Sequence, residues 1–235
     1  IHNVRYFDGR IITNENTSID SNKTVMENHV IVEDMITGDS AIFDEGETDA
    51  SKWLAKRAKV YYFDNDMPEI VFLELKNNQE ILEIDGSQIV AVDESDKKIR
   101  IEIEKQLNRF DVSVSKEKIE FSTEINLLHN GIFTTDVNAV FNILNGETEE
   151  NVDSITMYDN DNDGEYDIAS VNTYYTVDID YALEDENKIV LSDRISGRKF
   201  EVEKNSDTKI VKLSKEGMDY NDTAIRKGDI VSVSS

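Results

Sequence analysis

Five acidic side chains recur at alternate positions in the stretch MYDNDNDGEYDIASV (157–171): Asp159, Asp161, Asp163, Glu165 and Asp167. Carboxylates at this density are the donor set of a hard cation. Calcium takes about six to eight oxygen ligands at about 2.3–2.6 Å, and a tight loop aims alternate side chains toward one centre. Gly164 permits the sharp turn. Asp159, Asp161 and Asp163 would supply side-chain oxygens, Glu165 a backbone carbonyl, and Asp167 a ninth-position ligand, direct or through water. The spacing D-x-D-x-D-G-x-x-D departs from an EF-hand, which needs a bidentate Glu at its twelfth position. Ser170 stands there, and the flanks read as strands. The competing reading is an acidic hairpin tip without metal. Calcium is favoured over it because converging aspartates without a cation repel one another.

Other chemistry is sparse. His2, His29 and His129 have no metal-like spacing and read as surface or satisfied residues. Ser-x-x-Lys occurs at Ser95–Lys98, Ser113–Lys116 and Ser206–Lys209, a recurrence expected by chance in a chain rich in both residues. Nucleophile-elbow, phosphate-loop and dinucleotide motifs are missing. Fifty acidic residues guarantee some carboxylate pairs of the kind glycoside hydrolysis uses. No sugar-stacking aromatics can be picked out beside them. The chain therefore reads as non-enzymatic.

The elements that must hold the aspartate loop are mostly strands. Short alternating or apolar runs fall at His29–Glu33, Lys59–Phe63, Glu69–Leu75, Lys98–Glu104, Asp111–Val114, Ser154–Tyr158, Asp167–Asp180, Lys188–Leu191, Lys209–Leu213 and Asp229–Val233. Asp8-Gly9, Asp85-Gly86, Asn130-Gly131 and Asn145-Gly146 punctuate them as turns. Two short helices are expected. One covers Ala50–Ala58, with Ala50, Trp53, Leu54 and Ala58 on its core face. The other runs from Asp136 to Asn145, capped by Asp136 or Thr135 and stopped by Gly146.

A net charge of −25, from 50 acidic and 25 basic residues, sets the surface against phosphate backbones and anionic membranes. No nucleic-acid partner is expected. With no cysteine there are no disulfides and no thiolate sites. No apolar run approaches the roughly 20 residues that span a bilayer, so no membrane insertion is expected. Without a leader-like start, the chain reads as a mature product or a piece of something longer.

Internal similarity suggests duplication. VYYFDND (60–66) aligns with ITMYDND (155–161), Ile84-Asp85 with Ile179-Asp180, Glu104-Lys105 with Glu203-Lys204, and VSVSKE (112–117) with VKLSKE (211–216). The order is kept, which implies two copies of one β module near 58–130 and 153–235. The first copy keeps only Asp64-Asn65-Asp66 before Met67-Pro68, too short to encircle an ion. The expected fold is mainly β: two tandem small sheet or barrel-like modules with one or two short helices. Residues 1–57 form a β-rich N-terminal segment, 58–150 the first module with a connecting helix near 136–145, and 151–235 the second module with the aspartate loop.

The segments ILEIDGSQI, KVYYFDND, LLHNG, SITMYDNDNDGEYDIASV and RKGDIVSVSS resemble β modules repeated in large surface proteins of Firmicutes, often in chains with S-layer homology domains. Similar segments occur in virion structural proteins of their phages. The aspartate loop itself is similar to FG-GAP-type calcium hairpins. The resemblance covers most of the chain from about Lys59 and implies a structural unit of an extracellular cell-surface or virion assembly. Its partners would be other copies or domains of that assembly. The alternatives are an adhesion or carbohydrate-binding module, marked by an exposed aromatic row, and a glycoside hydrolase-type enzyme, marked by an acid pair in a cleft.

Overall fold

The computed structural model describes residues 4–20, 23–93, 98–106, 112–185, 187–203, 210–213 and 225–233. His2, Ser95, Asp111, Lys204, Ser206, Lys209 and the segment 214–216, all named in the sequence analysis, lie outside these residues. The chain is mainly β, with two sheets and one α-helix among the described residues.

Strands β1 (Val4–Thr13), β2 (His29–Glu33), β3 (Ser40–Asp44), β4 (Arg57–Phe63) and β5 (Glu69–Leu75) close a barrel in the order β1-β2-β3-β5-β4. Strand β1 pairs antiparallel with both β2 and β4, while β3 meets β5 in parallel at Asp44 and Glu69. This connectivity is that of an OB-type Greek-key barrel. Val30, Val32, Phe43, Val60, Ile70 and Leu73 point inward to one buried cluster, by period-2 alternation except in β5, where a register shift opposite Tyr61 and Tyr62 brings both Ile70 and Leu73 inward. The division expected between 57 and 58 cuts across this barrel: segment 1–57 supplies its first three strands, and β4 and β5 complete it.

Strand β1 runs straight through Asp8-Gly9, which the sequence marked as a turn. Gly9 is needed for contact instead: a Cβ there would lie 2.3 Å from the Glu33 carbonyl oxygen. The helix expected over Ala50–Ala58 is a correction too. Only a 3-10 turn forms, at Ala50–Trp53. Ala55 takes φ 72°, its N–H donates to Ile11 O at 2.9 Å, and Lys56 O accepts from Ile11 N at 3.1 Å. The backbone of 55–56 thus bonds to β1 rather than continuing a helix. The apolar face was read correctly, since Ala50, Leu54 and Ala58 are buried in the barrel core and Trp53 packs against it.

The second sheet holds eleven strands among the described residues. They are β6 (Glu80–Asp85), β7 (Ile89–Asp93), β8 (Lys98–Gln106), β9 (Val112–His129), β10 (Ile132–Thr134), β11 (Asn151–Asp159), β12 (Tyr166–Glu184), β13 (Lys188–Asp193), β14 (Lys199–Glu203), β15 (Ile210–Leu213) and β16 (Ile230–Val233). Helix α1 (Val137–Leu144) follows β10. Its cap is as the sequence predicts: Asp136 Oδ1 accepts from Ala139 N at 3.0 Å, and Gly146 takes φ 71°. Asn130-Gly131 makes a two-residue hairpin between β9 and β10 with both φ positive, as a type I′ turn requires.

Strand β11 lies between β6 and β12, and β12 runs parallel to β9. Ile84, Ile155, Met157, Val171 and the α1 residues Val140 and Phe141 form a second core. A third gathers Val177, Ile179, Leu191, Val202, Val231 and Val233. The aligned stretches 60–66 and 155–161 are both strand plus acidic turn, but β4 closes the barrel while β11 sits inside the second sheet. Among the described residues no helix is long and apolar enough to cross a membrane.

Candidate metal loop and its anchor

The aspartate stretch is the connection between β11 and β12. Their ladder ends at Tyr158 and Ile168. Beyond it the chain turns back through two left-handed residues, Asn162 at φ 63° and Gly164 at φ 95°. Those conformations aim successive N–H groups inward onto carboxylates. Asp159 Oδ1 accepts from Asn162 N at 2.5 Å and Asp163 N at 3.3 Å, and its Oδ2 from Gly164 N at 2.9 Å. Asp167 Oδ2 accepts from Asn160 N at 3.1 Å. Asp163 Oδ1 accepts from Glu165 N at 2.9 Å.

Of the five residues singled out by sequence, three come together. Asp159, Asp161 and Asp167 each place an oxygen within 4.8 Å of the others. Asp159 is only 2% exposed, Asp167 is half-buried and Asp161 is open to solvent. Asp163 and Glu165 are exposed and their carboxylates stand outside this group, which does not bear on the backbone carbonyl expected of Glu165. Oxygens facing each other across a bound hard cation are about 5 Å apart, so the triad is a group that could hold a metal ion. Asp159 Oδ1 already accepts two backbone N–H groups, whereas Asp159 Oδ2 and Asp167 Oδ2 accept one each and keep a second lone pair. Burial pushes the Asp167 carboxyl above its ordinary range. The Asn160 N–H opposes that shift, and the negative charges of Asp161 and then Asp159 reinforce it despite Arg10. A cation would relieve this repulsion.

Sequence reasoning missed Asn160, the loop's anchor. It is fully buried. Its Nδ2 donates to Ala55 O at 3.1 Å, and its Oδ1 accepts from Arg10 Nη1 at 3.2 Å. Tyr158 and Ile168, on either side of the loop, join the barrel's core cluster. Burial pushes the Tyr158 phenol up to about 12, helped by the Glu83 charge. The loop is therefore wedged against the barrel. Nothing in the sequence separates this Asn from the neighbouring polar residues.

His129 has hydrogen-bond partners, as expected of a satisfied residue. Its Nε2 lies 2.8 Å from Thr173 Oγ1 and 3.1 Å from Glu150 Oε2. A nucleophile–base–acid relay needs its partners on opposite ring nitrogens, whereas here both meet the same one. Thr173, only 2% exposed, also donates to Glu150 Oε2 at 2.7 Å, and Tyr175 Oη donates to Oε1 at 2.5 Å. Burial raises the Glu150 carboxyl, but bonds from Tyr175 and Thr173 and the nearby His129 outweigh it and hold the group low. An open cavity of about 270 Å³ beside the β1–β2 connection and Phe133 offers a single carboxylate, Glu15, so it presents no acid pair.

No protein-family model, curated protein or solved structure matches this chain. The functional reading therefore rests on geometry and residue chemistry.

Proposed function

We infer that this chain is a non-enzymatic structural module of an extracellular assembly, either a bacterial surface-layer-like protein or a phage virion protein, stapled by calcium at 159–167. The observation that carries the reading is the placement of the aspartate triad. Asp159, Asp161 and Asp167 cluster in a loop whose intervening Asn160 is buried against the barrel. A cation there would fix the loop that ties the two sheets together, a mechanical role rather than a chemical one. The charge of −25 suits a calcium-rich exterior, where bound cations offset self-repulsion. Its partners in this reading are other copies or domains of the same assembly.

Thermal unfolding in EDTA and in millimolar calcium tests it, on the native chain and on Asp161→Asn. Asp161 is exposed, so the variant folds without a new cavity. Calcium at about 100 Kd adds about 2.7 kcal/mol to the folded state alone. In a chain of this size that raises the midpoint by about 5–10 °C. The native chain should show this rise and Asp161→Asn should lose most of it. Equal midpoints in all four conditions would remove the calcium staple.

A further inference from the structure

We propose that the outer wall of the barrel binds a linear, uncharged oligosaccharide along an aromatic rung formed by Tyr6, Tyr61 and Phe72. These residues face one another across three adjacent strands: Tyr6 pairs with Tyr61 and Tyr61 with Phe72. Ring centroids are 6.3 and 5.8 Å apart, with planes tilted by 54° and 42°. Tyr6 is 61% and Phe72 58% exposed, while Val60, Ile70 and Leu73 on the opposite face fill the core. Cross-strand aromatic pairs stabilise a sheet. That role alone leaves two large rings in water on one continuous strip.

The next rung supplies polar chemistry. Asp8, Lys59 and Glu74 pair across the same three strands, two residues along and on the same face. Tyr61 Oη donates to Glu74 Oε2 at 2.9 Å. The Lys59 ammonium sits 4.2 Å from the Tyr6 centroid and 5.1 Å from that of Tyr61. Rings held this way lose little freedom on binding, which is the basis of preorganised affinity. A stacking rung beside a rung of alternating donors and acceptors matches a sugar chain. Its C–H faces, slightly positive, lie on the negative faces of the rings, and its hydroxyls reach the charged row.

Other occupants fit less well. A net charge of −25 repels polyphosphates and acidic glycans. A proline-rich peptide docks in an aromatic-lined groove, whereas a barrel's outer wall is convex. The exposed faces of the three rings offer on the order of 300 Å², short of the about 800 Å² per partner that a stable dimer buries. Because the ring planes turn along the strip, it suits a single flexible chain rather than a flat crystalline surface.

The test is calorimetric titration of the native chain with cellohexaose, chitohexaose, laminarihexaose and maltohexaose. It is repeated on Tyr6→Ala, Phe72→Ala and Tyr61→Phe, with far-UV circular dichroism confirming the fold. At least one hexasaccharide should bind with Kd on the order of 0.1–1 mM. Affinity should fall about tenfold in each alanine variant and hold within about threefold in Tyr61→Phe, which keeps the ring. The proposal is overturned if none of the four sugars binds, or if binding is indifferent to both alanine changes. Ring-dependent binding of a proline-rich peptide instead, or a dimer lost in Tyr6→Ala by sedimentation, would likewise overturn it.

Discussion

Asn160 Nδ2 bonds the carbonyl of Ala55 at 3.1 Å, across 105 residues of chain. The carbonyl belongs to a residue held at positive φ. The same asparagine takes Arg10 Nη1 on its oxygen, so one side chain answers two barrel groups. Flanked by Asp159 and Asp161, it anchors the loop while they supply two of the three clustered carboxylates.

Asn160→Ala should therefore cost more than a surface change. It leaves the buried Ala55 carbonyl without its partner and shortens a wedge between two sheets. A loss of about 1–3 kcal/mol is expected in urea unfolding. Asn162→Ala, at an exposed loop position, is the comparison for effects on the loop alone.

Gly9→Ala and Gly164→Ala should separate crowding from backbone strain. At Gly9 a Cβ would meet the Glu33 carbonyl oxygen at 2.3 Å and its carbon at 2.8 Å, both backbone. The β1–β2 ladder must shift, at about 1–3 kcal/mol. At Gly164 a Cβ meets nothing within 4 Å, and only φ 95° opposes it, at about 1–2 kcal/mol. Melting of both variants should rank Gly9→Ala as equal or worse, with calcium response changed only by Gly164→Ala.

The Glu150 cluster predicts an acid-sensitive stability. Its folded carboxyl titrates below its ordinary range despite burial, because Tyr175, Thr173 and His129 favour the ionised form. A depressed carboxyl contributes stability above its unfolded pKa of about 4.3 and loses it as pH falls through the folded value. Glu150→Gln should lower the midpoint near neutrality and flatten its fall below about pH 4. Scanning midpoint against pH for both chains checks the sign. An identical acid limb would place the sensitivity elsewhere.

Phe141→Ala should test the second core. The ring is 1% exposed and meets Phe121 edge-on, centroids 6.3 Å apart at 87°. Truncation should cost about 3–5 kcal/mol by chemical denaturation. Asn142→Ala, exposed on the same helix, should cost little.

Much of this was legible in the sequence. The runs His29–Glu33 and Glu69–Leu75 are the observed strands to the residue, and helix α1 differs from its expected span by one position at each end. Those elements carry strong local signals: alternation, a capping aspartate, a stopping glycine. What failed was decided by distant partners. Asp8-Gly9 has turn chemistry, yet the β2 backbone lies against Gly9 and makes it a crossing point. The 50–58 stretch has a helical stripe, yet Ile11 claims its backbone. At the site, spacing singled out five acidic residues, but only the fold shows which three carboxylates come together. The aromatic rung was invisible for the same reason. Tyr6, Tyr61 and Phe72 are far apart in sequence and meet only through strand register.

Strand β12 has 19 residues and pairs with β9 and β11 at one end and with β16 and β13 toward the other. At about 3.3 Å per residue a strand of that length spans roughly 60 Å when straight. It passes without a break from the second core into the third, contributing Val171 to one and Val177 and Ile179 to the other. No loop intervenes to act as a swivel. A pull on either end of β12 would therefore travel along one unbroken backbone from the second core to the third, with no hinge between them to absorb it.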